Sequence, residues 1–115
     1  MDWNTIQSAE DIEEIKKASE SGRVLIFKHS TRCSISSMAL NRLERAWKPA
    51  ETQGLQPFFL DLIAKRPISA QIADEFGVRH ESPQVLVIEN GKCIYDNSHM
   101  GISYNELKKF AKETA

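Results

Sequence analysis

The stretch Gln84-Val-Leu-Val-Ile-Glu89, Asn90-Gly91, Lys92-Cys-Ile-Tyr-Asp96 constrains the fold more than any other part of the chain. Asn-Gly adopts positive φ at both central positions of a two-residue turn at little cost, so the flanking runs are predicted to be antiparallel hairpin strands. Everything before that hairpin alternates between helical and strand period. Ser8-Ala-Glu-Asp11 has capping-box spacing, with Asp where Glu is commoner, and Ile12, Ile15 and Ala18 recur on one helical face. This predicts a helix over 9–20, ended by Ser21-Gly22. Arg23 to Lys28 is a short β-branched and aromatic run of buried-strand type. A second helix follows Cys33, with Ile35, Met38, Ala39, Leu43, Ala46 and Trp47 at a 3.6-residue period, read as core-facing and stopping near Pro49.

Gln56 to Ile63 reads as a second central strand, and Pro67 opens a helix that carries Ile68, Ile72, Ala73 and Phe76 toward the sheet before Gly77 stops it. A last helix is capped by Ser103-Tyr-Asn-Glu106, with Leu107, Phe110 and Ala111 facing inward. Trp3 to Ile6 is a possible extra strand. Alternating helix and strand units closed by a hairpin and a helix imply an α/β fold, a mixed central sheet of four to five strands with helices on both faces. At 115 residues the chain is expected to form one domain over 1–115.

The longest apolar run, Val24 to Phe27, is far too short to cross a bilayer, and Met-Asp-Trp-Asn-Thr lacks the basic and apolar regions of a secretory signal. A cytoplasmic protein with no membrane partner is expected. Cys33 and Cys93 stand sixty positions apart, a poor candidate for a structural disulfide in a reducing compartment. The net charge of −1 argues against nucleic acid, yet the charges are unevenly placed. Residues 23–48 hold six Lys and Arg against one Glu, whereas residues 1–22 hold two Lys against six acids. The basic block surrounds Cys33. Arg42, Arg45 and Lys48 are read as solvating the outer face of a helix, while Arg32, adjacent to the thiol, has the better claim to function.

Cys33 is delivered by a buried strand and a short polar turn to the start of a helix, just past the carboxyl end of a parallel strand, where ligands gather in such sheets. A helix N-terminus with cationic neighbours is the setting in which a thiol pKa falls from about 8.5 to roughly 3.5–7.5 and the side chain becomes a nucleophile. Lys28, His29 and Arg32 are the nearby cations. Ser36 stands where a Cys-x-x-Cys motif has its second cysteine, so one thiol has no local partner with which to close a disulfide. Ser36 and Arg32 are the expected supports of the thiolate. Cys93, inside a hairpin strand, is read as a small buried hydrophobe, with a resolving role as the alternative. His29, His80 and His99 show no ligand spacing with either cysteine, so no metal site is expected.

With its cysteine after the first parallel strand and Pro83 directly before the hairpin, the chain resembles the thioredoxin-like superfamily over nearly its whole length. Lys28-His-Ser-Thr-Arg-Cys-Ser-Ile-Ser36, the early Trp3, and Ser82-Pro83-Gln84-Val85 are most similar to the YtxJ-type monothiol bacilliredoxins. That family commonly has Pro directly after the cysteine, where this chain has Ser34. The resemblance implies a cis Ser82–Pro83 bond beside the sulfur and a thiol-disulfide oxidoreductase that removes bacillithiol, or a similar low-molecular-weight thiol, from protein mixed disulfides through Cys33. Bacillithiol is then a co-substrate, no cofactor is bound, and the partners are that thiol and S-thiolated client proteins, met by a monomer.

The resemblance also makes Thr31, Ser34, Ser82 and Pro83 the candidate contacts of the bound thiol, the Ser82 backbone pairing with its cysteinyl part like a strand added to a sheet edge. Bacillithiol carries malate carboxylates, for which Arg32 is the first candidate. Arg79 and His80 lie on the same approach or form a solvated loop. Two other readings stay open: a non-catalytic thioredoxin-like binding module, and a redox-regulated target whose Cys33 is modified without turnover.

Overall fold

The computed structural model describes residues 1–111; residues 112–115 of the expected domain lie outside the described residues. In chain order the elements are β1 (Asn4–Thr5), α1 (Glu10–Ser21), β2 (Arg23–His29), α2 (Ser34–Ala46), β3 (Leu55–Asp61), α3 (Arg66–Phe76), β4 (Gln84–Glu89), β5 (Lys92–Ser98) and α4 (Tyr104–Leu107). One five-stranded sheet runs β1-β3-β2-β4-β5. β3 is parallel to both β1 and β2, and β4 is antiparallel to β2 and β5. This is the mixed α/β sheet that the alternation implies, with the strand arrangement that the thioredoxin-like resemblance leads one to expect.

Strand alternation sorts the central strands onto two cores. Val24, Ile26, Phe58, Leu60, Leu86 and Ile88 meet Ile12 and Ile15 of α1 and Ile68, Ile72 and Phe76 of α3. Leu25, Phe27, Val85 and Val87 meet Leu43 of α2 and Leu107 of α4 on the other face. The same alternation places Lys28 and His29, consecutive in β2, on opposite faces.

Local details explain the boundaries. Asp11 Oδ2 accepts the backbone N–H of Gln7 (2.7 Å) and Ser8 (3.2 Å), the reach-back half of a capping box, while no side chain caps the helix from Ala9. Gly77 ends α3 with φ 64°, a left-handed conformation that favours glycine. Asn90 (φ 51°) and Gly91 (φ 74°) turn the hairpin, and their amides are held by the Ser19 carbonyl and hydroxyl. The closing helix is shorter than its pattern suggests: α4 makes one turn, a 3₁₀ turn over Lys108–Phe110 follows, and Ser103 gives no side-chain cap.

One prediction is corrected by the packing. Ile35 and Met38, read as part of the buried stripe of α2, are 42% and 53% exposed. The deeper half of the helix covers the sheet through Ala39, Leu40, Leu43 and Trp47, whereas its first turns carry the two apolar side chains into solvent beside Cys33. The reason is position: periodicity marks which residues share a face but not where that face runs beyond the sheet.

Candidate active site

β2 ends at His29, and residues 30–33 form a turn closed by the Cys33 N–H donating to the Ser30 carbonyl at 3.2 Å. Cys33 is the N-cap of α2, with extended backbone (φ −113°, ψ 117°), and is partly exposed. The first backbone bond of the helix is Ser37 N–H to the Cys33 carbonyl at 3.1 Å, which leaves the amides of Ser34, Ile35 and Ser36 without backbone acceptors. Cys33 is thus the residue at which a thirteen-residue helix begins, with three N–H groups that find no backbone acceptor among the described residues. Cys33 Sγ makes no hydrogen bond to any described residue.

Beneath it lies a buried polar cluster. Ser36 Oγ accepts the Ser30 N–H at 3.0 Å and lies 2.7 Å from His29 Nδ1. Burial pushes the His29 pKa down, against the opposing pull of Asp61 and Glu44. The neutral ring packs against Phe27 and Phe59, and Glu44 is held by the Trp3 indole N–H at 2.9 Å. On the far face, Lys28 Nζ donates to the Ser69 carbonyl at 3.2 Å and approaches His80 Nδ1 at 3.4 Å.

The other wall of the site is the segment before β4. The Ser82–Pro83 bond is cis, Pro83 is buried, and the Pro83 carbonyl accepts the His99 N–H at 3.0 Å. Buried Gln84 braces the segment from below, donating to the Arg79 carbonyl at 2.9 Å and accepting the Glu81 N–H at 3.4 Å. Ser82 Oγ is the one buried side-chain polar atom without a hydrogen-bond partner among the described residues.

A family profile, that of the monothiol bacilliredoxin BrxC, matches residues 4–107. The chain belongs to this bacilliredoxin family. Solved structures agree on the fold. A protein proposed to be an oxidoreductase with a thioredoxin fold shares 25% identity at a TM-score of 0.78, over 94% of this chain and 92% of that one. Fasciola hepatica thioredoxin shares 15% at 0.70, over 92% and 93%. Oxidised thioredoxin of Plasmodium falciparum shares 11% at 0.72, over 96% of this chain and the whole of that one.

Within this bacilliredoxin frame the expected site residues separate. Thr31, Arg32 and Ser34 are exposed around Cys33, and Arg32 forms no ion pair or hydrogen bond with any described residue. Ser36, expected to support the thiolate, is fully buried, and its hydroxyl meets His29 and Ser30 rather than the sulfur. Lys28, expected among the cations around the thiol, projects to the face of α1 and α3, away from α2, because side chains alternate along a strand. Cys93 pairs with Ile88, which faces Val24 at the start of β2. It therefore lies at the opposite end of the sheet from Cys33, about 15 Å away along the strands. Its thiol donates to the Tyr95 carbonyl at 3.2 Å, and burial pushes its pKa up.

Sequence reasoning missed Gln84 as the brace of the proline segment and Ser69 as a partner of Lys28. A lysine that interrupts an apolar strand run was the available signal for the second. Also unforeseen is an apolar surface on the first turns of α2, where exposed Ile35 and Met38 meet Met100 (70% exposed) in a narrow crevice, and Met100 in turn borders a cavity of about 400 Å³ lined by Arg42, Ile102 and Tyr104.

Proposed function

We propose that Cys33 removes bacillithiol from mixed disulfides on client proteins and carries it until a second thiol takes it away. The observation that carries this reading is a single partly exposed thiol at the N-cap of α2, with a hydroxyl in place of a resolving thiol at position 36 and the other cysteine at the far end of the sheet. In the first step the Cys33 thiolate attacks the bacillithiol sulfur. The sulfur–sulfur bond between bacillithiol and the client cysteine breaks, and the client thiolate leaves with the electron pair and takes a proton from solvent. In the second step an external thiolate attacks the Cys33–S–S–bacillithiol bond and frees Cys33, so both oxidising equivalents pass to a new low-molecular-weight disulfide.

The surroundings suit both substrates. Exposed Ile35, Met38 and Met100 offer apolar contact to a client chain, while exposed Thr31, Arg32 and Ser34, close in sequence to Cys33, offer donors to the thiol it carries. Ser82, with its unpartnered hydroxyl, and Pro83 form the opposing wall for the cysteinyl part of the thiol. A reducing cytoplasm is the compartment in which a lone catalytic thiol stays available, and no helix among the described residues is long and apolar enough to cross a membrane. The protein acts in this reading as a monomer.

Intact-mass analysis with a bacillithiolated client tests the proposal. Wild-type protein should release the free client thiol and acquire one bacillithiol, and Cys33→Ser should do neither. Adduct formation from bacillithiol disulfide without client release would mark a modified target instead of a carrier. Equal loss in Cys33→Ser and Cys93→Ala would replace the monothiol scheme with a two-cysteine one.

A further inference from the structure

Lys28 is a cation without a counter-ion. It is 0% exposed, and no carboxylate among the described residues lies within ion-pair distance of its ammonium. Enclosing a charge in this way is costly unless it is paired or finds other polar partners. Its two partners are the Ser69 carbonyl and His80 Nδ1, at 3.2 and 3.4 Å. Burial pushes the pKa down to about 8, which leaves the group mostly charged at neutral pH.

The contact fixes the state of His80. An ammonium only donates, so Nδ1 must offer its lone pair and the proton of the neutral ring sits on Nε2. Ser69 Oγ, 3.2 Å from the same nitrogen, fills the remaining space on that side. Burial first, then Lys28 and Arg66, hold the His80 pKa below its ordinary value, while Glu81 pulls it the other way. Nε2–H is the one donor the ring can present to a ligand.

His80 lines a cavity of about 260 Å³ together with Leu62, Arg66, Ser69 and Ala70. Arg66 is exposed at the start of α3 and makes no ion pair or hydrogen bond with any described residue. Glu81, the nearest acid in the chain, is turned toward His99 at 3.8 Å. The cavity belongs to the Cys33 end of the sheet: the Leu62 N–H donates to the His29 carbonyl at 3.0 Å, and His80 stands two residues before Ser82. A space of this size suits a small acid and not an element of a protein surface.

We propose that this cavity holds a carboxylate of the low-molecular-weight thiol, gripped by Arg66 and the Nε2–H of His80, with Lys28 supplying a fixed positive charge behind them. The proposal rests on the reading of Cys33 as the carrier of that thiol and adds where its acidic part is held. Lys28 and His80 thereby acquire a task that the cysteine chemistry leaves them without.

The test uses S-methyl bacillithiol, a thioether that cannot exchange, and the same compound with its malate carboxylates esterified. Binding is followed by the His80 ring resonances and by calorimetry on wild-type protein. The acid should bind about tenfold more tightly than the ester, and Arg66→Gln and His80→Leu should each lose about that factor for the acid alone. His80→Gln, which keeps a donor near the Nε2 position, should restore most of the binding. If His80→Leu fails to fold, Arg66→Gln at an exposed position decides.

No detectable binding to wild-type protein, equal affinity for acid and ester, or indifference to Arg66 overturns the subsite. So does a pattern in which Arg66→Gln slows only clients with an acidic residue near the modified cysteine, since the cavity would then serve the client. Binding as expected with no client thiol released by Cys33 would leave the subsite standing and remove the proposed function.

Discussion

Lys28 and His29 are neighbours in β2, both basic and both buried, yet they meet burial in opposite ways. His29, on the α2 face, is held neutral, and its Nδ1 pairs with Ser36, whose oxygen also takes the Ser30 amide, so this polar group is closed within itself. Lys28, on the α3 face, keeps its charge and leans on a carbonyl and a neutral imidazole, with no anion among the described residues to balance it. The first arrangement fastens the turn beneath Cys33 to the sheet. The second leaves a positive field facing an open cavity. A complete network stabilises and an incomplete one recruits, which is why the two sides should answer mutation with opposite signs.

The largest expected effect lies outside both clusters and sets the scale: Cys33→Ser should lower client debacillithiolation on the order of a thousandfold or more, with native circular dichroism. Next is Lys28→Met, which removes the unbalanced charge and nearly conserves volume. The native pKa of about 8 lies below that of the unfolded chain, so the unfolded state binds more protons between pH 8 and the ordinary lysine range. The penalty is therefore present in full below about pH 8 and fades as pH rises through that window. The variant should gain on the order of 3 kcal/mol at pH 7 and almost nothing near pH 10.5, read by urea unfolding. A loss at pH 7 would break the contrast between the two faces.

Ser36→Ala should move the other way, costing about 1–3 kcal/mol because it strands the Ser30 amide and His29 Nδ1 in the interior. A smaller effect follows from His29 itself. Its native pKa is below the unfolded value near 6.5, so its contribution to stability is present above that value and is lost as pH falls through the native pKa. His29→Phe should flatten the acid side of the stability profile, and His80→Leu, at an exposed position, should flatten it less. Cys93→Ala should be the mildest, leaving debacillithiolation within about twofold because the residue acts as a small hydrophobe.

The sheet is legible in the sequence because its signals are local: an Asn-Gly turn, apolar runs of strand length, a proline at the start of α3 and a glycine at its end each fix a boundary within a few residues. The family is legible through a short run of residues around Cys33 and Pro83. What stays hidden is direction. Ser36 lies one turn beyond Cys33, and spacing alone sets the two on one helical side, but a hydroxyl of that size turns toward whichever partners surround it, and the Ser30 amide and His29 are nearer claimants. Lys28 is placed by strand alternation, yet its meeting with His80, fifty-two residues later, depends on how α3 and the proline segment pack. Ile35 and Met38 carry the right period for a core position and lack only something to pack against.

The enclosure of Lys28 also bears on how the protein responds to salt. Arg32 is exposed, and at physiological ionic strength mobile ions screen such a charge over a Debye length of about 8 Å. Ions cannot gather around an ammonium at 0% exposure, so its charge is screened less than those of exposed Arg32 and Arg66. In the proposed subsite, added salt should therefore slow association of an acidic thiol more than it speeds dissociation, since Arg32 and Arg66 are screened while Lys28 is enclosed. Under the proposed scheme, rising salt would cost the carrier its rate of capture before its grip on the captured thiol.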